Sequence, residues 1–295
     1  MVVLGTGTAN GACSLLHAAG VGYGASLTLD LPVKVRLMDK ASKKVLDDPD
    51  SLLDSVLTIW KNAELPLPKS DELHWTVRTK IPPRQGLKSS AAIAIAALRA
   101  LCEATETVLE EHQLVDLAAA IQLDAGVSLT GSIDDAWAAA GSGWKLIDIN
   151  AENAESGIIL EGDGPPADEW RVFIITRGER VEKPTLESFS FYQQAFSQAL
   201  SALQEGGELV ALTWNGRGMS GVLNDTLGRR LTNDAFVNGA RSAGISGSGP
   251  AIVIFAPTIS KPICDRLSTW YERYPDVEIV ETKVVNPSSP IGDDS

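Results

Sequence analysis

The segment Pro82-Pro83-Arg84-Gln85-Gly86-Leu87-Lys88-Ser89-Ser90-Ala91-Ala92 sets a glycine, a lysine and two serines directly ahead of an Ala/Ile/Leu-rich run. Glycine lets a backbone pass close to a ligand, and the first amides of a helix point outward unpaired. With the helix dipole they form an anion site that needs no net positive charge. Ser89 and Ser90 can offer a hydroxyl to a magnesium ion or a phosphate oxygen, and Lys88 can offset part of the negative charge. The same residues also read as a turn and a capped helix, Ser89 or Ser90 being the cap. A Walker loop is excluded, because Leu87 separates Gly86 from Lys88 and no Gly stands five positions before Gly86.

Two further Gly-rich segments accompany it: Gly5-Thr6-Gly7-Thr8-Ala9-Asn10-Gly11, continuing to Gly20-Val21-Gly22-Tyr23-Gly24, and Gly244-Ile245-Ser246-Gly247-Ser248-Gly249-Pro250-Ala251. Three such segments, each abutting a strand or helix, predict a site assembled from distant parts of the chain. Asp134 and Asp135 follow a helical pattern and a Gly turn, a loop position that can reach such a site. A carboxylate of ordinary pKa, ~4, is ionised at neutral pH and can accept or orient a hydroxyl proton. Either residue can equally cap a helix beginning near Ala136.

The elements that must position these residues are partly legible. Leu27, Leu29, Leu31, Val33, Val35 and Leu37 alternate with Thr28, Asp30, Lys34 and Arg36, a half-buried strand in which Pro32 predicts an edge or a bulge. Trp75–Ile81 reads as a second strand and Ser89–Ala104 as a buried helix. Thr107 followed by Glu110 resembles a capping box opening a helix through Leu114, Leu117, Ala118, Ile121 and Ala125, closed by Gly126. Gly141–Pro166 reads as the change of domain. Beyond it come a strand at Val172–Thr176, helical patterns around Ser188–Gln204, strands at Ala251–Phe255 and Val277–Val285, and a polar tail, Asn286–Ser295.

The chain has 295 residues, 44% hydrophobic, enough for one large core or two modest ones, and two lobes are expected. With 38 acidic and 25 basic residues, its net charge of -13 disfavours nucleic-acid backbones and anionic lipid as partners. Cys13, Cys102 and Cys264 are scattered, as free thiols in a reducing compartment would be. No signal peptide or membrane span is expected, and the location expected is cytoplasmic.

Pro82–Ala92 resembles the second motif of the GHMP kinase superfamily, P-x-x-x-G-L-G-S-S-A-A, and Gly244–Ala251 resembles the third. Within it the chain looks like the archaeal-type shikimate kinases, through Lys88 in place of the usual glycine, the run Gly5–Asp30, and Leu129-Thr130-Gly131-Ser132-Ile133-Asp134-Asp135-Ala136. The resemblance implies a two-lobed α+β GHMP kinase fold, with residues 1–155 forming a lobe like ribosomal protein S5 domain 2 and residues 156–295 a ferredoxin-like lobe. It implies ATP and Mg2+, with Pro83, Gly86, Leu87, Lys88, Ser89, Ser90, Ala91, Gly247, Ser248 and Gly249 around the nucleotide. Ser89, Ser90 and Asp124 become candidates for the metal, and Asp134 for catalysis with Asp135 in support, the two being exchangeable. The substrate implied is shikimate, whose carboxylate requires a cation; Lys34, Asn10 and Arg177 are candidates that spacing does not separate. Homoserine kinase, which shares the third motif, and a non-catalytic metabolite-binding protein of the same fold are the alternatives.

Overall fold

The computed structural model describes residues 2–42, 48, 50–178 and 184–287. In chain order the elements are β1 (Val3–Leu16), α1 (Ala18–Val21), β2 (Tyr23–Met38), α2 (Leu52–Asn62), β3 (His74–Thr79), α3 (Ser89–Thr105), α4 (Glu111–Asp124) and α5 (Ile133–Ala140). Then follow β4 (Trp144–Asp148), β5 (Ile158–Gly162), β6 (Trp170–Arg177), α6 (Leu186–Ser190), α7 (Gln193–Gln204), α8 (Glu208–Val222), α9 (Thr226–Val237), β7 (Ser242–Ile245), β8 (Ile252–Pro257), α10 (Lys261–Tyr271) and β9 (Val277–Thr282).

The first sheet runs β1-β2-β4-β5, with β3 also on β2, and all its pairings are antiparallel. The aliphatic set of β2 from Leu27 to Leu37 is fully buried, each side chain contributing about 1.5–3 kcal/mol by leaving water. Pro32 is on this central strand rather than at an edge, and pairs with Asn10 beside an irregularity between Asn10 and Ala12. The Ala-rich α3 packs flat on β1. A Cβ at Gly5 would lie 2.0 Å from the Ala100 carbonyl oxygen, and one at Gly7 the same distance from that of Ala96. These two glycines therefore serve close helix–sheet packing, not ligand approach, which corrects the reading of Gly5–Gly11 as a site loop.

The second sheet has the order β7-β8-β6-β9, again antiparallel. With α6–α9 between β6 and β7 and α10 between β8 and β9, this is the ferredoxin-like arrangement. The division drawn at 155/156 falls ahead of β5, which pairs with β4; the change of sheet lies between Gly162 and Trp170. The capping box is also displaced by one turn: Glu110 caps α4 reciprocally with Gln113, and Thr107 lies outside it. After β9 the chain returns to the first sheet, where Leu29 bridges Val284 and the Val285 amide donates to the Thr28 carbonyl at 3.1 Å. Asn286, expected in a loose tail, is buried, and its amide donates to the carbonyls of Asp163 and Pro165. Residues 288–295 of that tail lie outside the described residues.

Candidate active site

The loop between β3 and α3 carries three left-handed residues, Arg84, Gly86 and Lys88, which turn the chain into the N-terminus of α3. Lys88 is the cap residue at φ 64, a conformation costing a non-glycine residue on the order of 1 kcal/mol. The first intrahelical bond runs from the Ala92 amide to the Lys88 carbonyl at 3.0 Å, so the amides of Ser89, Ser90 and Ala91 precede it and have no helical acceptor. Leu87 turns its side chain into the core and gives its carbonyl to the Ala12 amide. Pro83 is exposed at the start of the loop.

The turn joining β7 to β8 is seated on this loop. Ser246 Oγ donates to the Gly86 carbonyl at 2.8 Å, and the Ala251 amide donates to the Gln85 carbonyl at 3.2 Å. Ser14 on β1 locks the arrangement, its amide donating to Ser246 Oγ and its hydroxyl accepting from the Gly247 amide at 3.1 Å. A Cβ at Gly249 would lie 2.1 Å from the Gln85 carbonyl carbon, and one at Gly86 would lie 2.1 Å from the Ser246 carbonyl oxygen. Only glycine allows the two loops this approach. Of the Gly-rich segments expected to assemble a site, the structure joins Gln85–Ser90 and Ser246–Ala251, with Gly11 and Ser14 of β1 beside them.

Asp134 and Asp135 occupy the first turn of α5, not a loop. Ser26 on β2, completely buried, donates to Asp134 Oδ2 at 3.0 Å or Asp135 Oδ1 at 2.8 Å. Lys88 Nζ lies 2.7 Å from Asp135 Oδ1, so the lysine that spoils the glycine pattern is anchored to the carboxylate pair. Burial, then the charge of Asp135, pushes Asp134 well above the ordinary carboxylate range. Burial acts on Asp135 in the same sense, but the charge and hydrogen bond of Lys88 outweigh it and hold Asp135 below its usual value. Burial would lower Lys88, and the two aspartates outweigh that and raise it. The pair thus enters neutral pH with a proton on Asp134, a charge on Asp135 and a cation on Lys88.

Asp124 is exposed at the end of α4, and the structure does not bring it to Ser90. Gln122, two residues earlier and on the opposite side of the helix, is buried there and accepts from Ser90 Oγ at 3.1 Å. A hydroxyl and an amide oxygen are hard, neutral donors that suit a magnesium ion already carrying phosphate oxygens. No group of three or more His, Cys, Asp or Glu able to cage a metal occurs among the described residues. Sequence reasoning missed Gln122 although the helical spacing of Val115, Ala118 and Gln122 puts it on the buried face. It also missed Ser26, which shares the inward polar side of β2 with Thr28.

His17 follows β1, and its amide donates to the buried Asn215 Oδ1 at 2.9 Å. Its Nδ1 accepts from the Ala19 amide, and its ring lies 4.7 Å from that of Phe189. Arg177 is already engaged: Nε donates to the Pro250 carbonyl at 2.9 Å and the guanidinium grips both oxygens of Asp225. Lys34 is exposed on β2 and Asn10 half-buried on β1, so no contact brings any of the three to Asp134.

A helix N-terminus with unpaired amides, a glycine turn clamped over it and a buried carboxylate–lysine group beside it can hold phosphate and support phosphoryl transfer. Residues 55–143 match the family of GHMP kinases N terminal domains. The structure superposes on the mevalonate kinase of Methanococcus jannaschii with a TM-score of 0.72, at 15% identity, covering 95% of this chain and 98% of that one. The fold is that of the GHMP kinases. Its sequence is 27% identical to the shikimate kinase of Methanocella arvoryzae, over 95% of this chain and 93% of the relative. It is likewise 27% identical to the shikimate kinase of Pyrococcus furiosus, over 95% and 99%.

Proposed function

We propose that this protein transfers the γ-phosphoryl group of ATP to the 3-hydroxyl of shikimate, giving shikimate 3-phosphate and ADP in aromatic amino-acid biosynthesis. The observation that carries the reading is the Asp134–Ser26–Asp135–Lys88 cluster set against the N-terminus of α3. The choice of shikimate rests on the likeness to archaeal shikimate kinases along nearly the whole chain. A cytoplasmic location belongs to the same proposal; no helix among the described residues is long and apolar enough to cross a membrane.

In this mechanism the amides of Ser89, Ser90 and Ala91 hold phosphate oxygens, and Gly247, Ser248 and Gly249 cover them from the other lobe. Ser90 and Gln122 would hold Mg2+, which would supply charge neutralisation for the triphosphate. The shikimate 3-oxygen bonds to the γ-phosphorus as the bond from that phosphorus to the β,γ-bridging oxygen breaks. The hydroxyl proton passes to Asp134 in its ionised form, whose raised proton affinity makes it the better base of the pair. Asp135 holds Lys88 in place beside the reacting phosphate.

Coupled-assay ADP release tests the reading. Shikimate should be turned over in preference to homoserine, mevalonate and galactose; preference for any of those three sinks it. Asp134→Asn should bind ATP as the parent does and lose at least about 100-fold in kcat, the scale of a lost general base. Full activity in that variant would favour a non-catalytic role for the carboxylate.

A further inference from the structure

In the C-terminal lobe α8 and α9 enclose a groove of about 550 Å³, lined by Arg217, Ser220, Asn224, Asp225, Arg229 and Asn233 among others. That volume suits a ligand the size of a small metabolite. The chain carries 38 acidic residues against 25 basic ones, yet neither Arg217 nor Arg229 pairs with a carboxylate among the described residues. The acid in the groove, Asp225, is already neutralised by Arg177 and caps α9 through the Gly228 amide. Arg217 lies 4.7 Å over the Trp214 ring, an aromatic support that fixes the guanidinium plane and leaves its donor edge for a ligand. Two arginines in one concavity of a strongly acidic protein form a local anion trap, and Ser220, Asn224 and Asn233 add neutral partners for hydroxyls.

We propose that this groove binds a small hydroxylated carboxylic acid, with Arg217 and Arg229 holding the carboxylate. The site is wired to the nucleotide loops. Asp225 binds Arg177, Arg177 donates to the Pro250 carbonyl, and Gln85 of the α3 loop donates to the Gly178 carbonyl at 2.7 Å. The groove residue Asp225 is thereby linked to both Gly-rich loops through Arg177 and Gln85. That the bound acid is the phosphoryl acceptor rests on the kinase reading; the anion site itself does not.

Isothermal titration of the full chain with shikimate, inorganic phosphate and the neutral polyol myo-inositol, in the parent and in Arg217→Gln and Arg229→Gln, tests the proposal. Both arginines are exposed, so thermal melts should match the parent and certify folding. Shikimate binding should weaken at least tenfold in each variant, with the KM for shikimate rising in step and kcat changing less than threefold. Myo-inositol should not bind. No shikimate binding by the parent, binding of phosphate alone, or unchanged Kd and KM in both variants would each overturn the groove, while ADP release in the parent keeps the kinase reading. Arginine-dependent shikimate binding without ADP release would keep the groove and overturn the kinase reading instead.

Discussion

At the scale of single residues, Ser26 decides how the carboxylate pair behaves. Its one hydroxyl is a hydrogen-bond donor to Asp134 Oδ2 or Asp135 Oδ1, alongside Lys88 on Asp135, and it favours their ionised forms. Without it Asp134, already raised by burial and by the neighbouring charge, rises further. Activity that requires ionised Asp134 climbs with pH through that group's pKa, so the ascending limb in Ser26→Ala should move to higher pH. A hydrogen bond of about 1 kcal/mol corresponds to roughly 0.7 pH units. The expected signature is a several-fold loss of kcat/KM at pH 7 that is largely recovered at pH 9, with Ser26→Thr close to the parent. An ascending limb at the same pH in parent and Ser26→Ala would remove Ser26 from this role. Asp134, Asp135 and Lys88 were legible in the sequence because they sit inside motifs. Ser26 was not, since its partners lie more than a hundred positions away and nothing in its own strand marks them.

At the scale of elements, the site depends on two loops touching backbone to backbone. Gly249→Ala would drive a methyl into the Gln85–Gly86 peptide, backbone that cannot swing aside as a side chain can. The turn must lift off the α3 loop, breaking the contacts of Ser246 and Ala251. The expected result is a stability loss of about 3 kcal/mol or more, in the range of overpacked cores, together with a raised KM for ATP. Gly126→Ala is the comparison. Gly126 has φ 65 but nothing within 4 Å of the added methyl, so only backbone strain of about 1 kcal/mol applies and the KM for ATP should stay put. Equal effects of the two substitutions on KM would show that loop contact is not what sets nucleotide affinity. The same elements show where pattern reading stopped. The runs Gly5–Gly11 and Ser246–Gly249 are similar in composition, yet one is a strand packed under a helix and the other a turn seated on the loop ahead of α3. What separates them is what lies opposite, α3 in one case and the phosphate loop in the other.

At the scale of the whole molecule, alternation of strands and helices announced a mixed fold and both lobes, and left the topology open. The reason is visible on β2: one long strand is shared along a single side by β3, the returning 283–285 segment and β4, a partition that hydrophobic period cannot encode. Burial of charge is the other global property that the sequence hid. Burial, then the positive charge of Lys88, against an opposing contribution from Asp135, pushes His17 from 6.5 down to about 3, so the folded protein holds it neutral. Between those values the unfolded chain binds the proton that the folded one refuses, and stability therefore falls as pH drops below about 6.5. Asp134 acts oppositely, its raised pKa favouring the fold at low pH, and that contribution cancels when parent and variant are compared at one pH. His17→Asn keeps an acceptor for the Ala19 amide but removes the titrating ring and its contact with Phe189. It should be less stable than the parent at pH 7.5 by about 1–2 kcal/mol, the scale of lost ring packing. The gap should close by on the order of 1–2 kcal/mol by pH 5, as keeping His17 neutral begins to cost the parent stability. Urea unfolding at pH 7.5, 6 and 5 measures it, and a gap that stays constant across that range would mean that His17 titrates in the folded protein as it does in the unfolded chain.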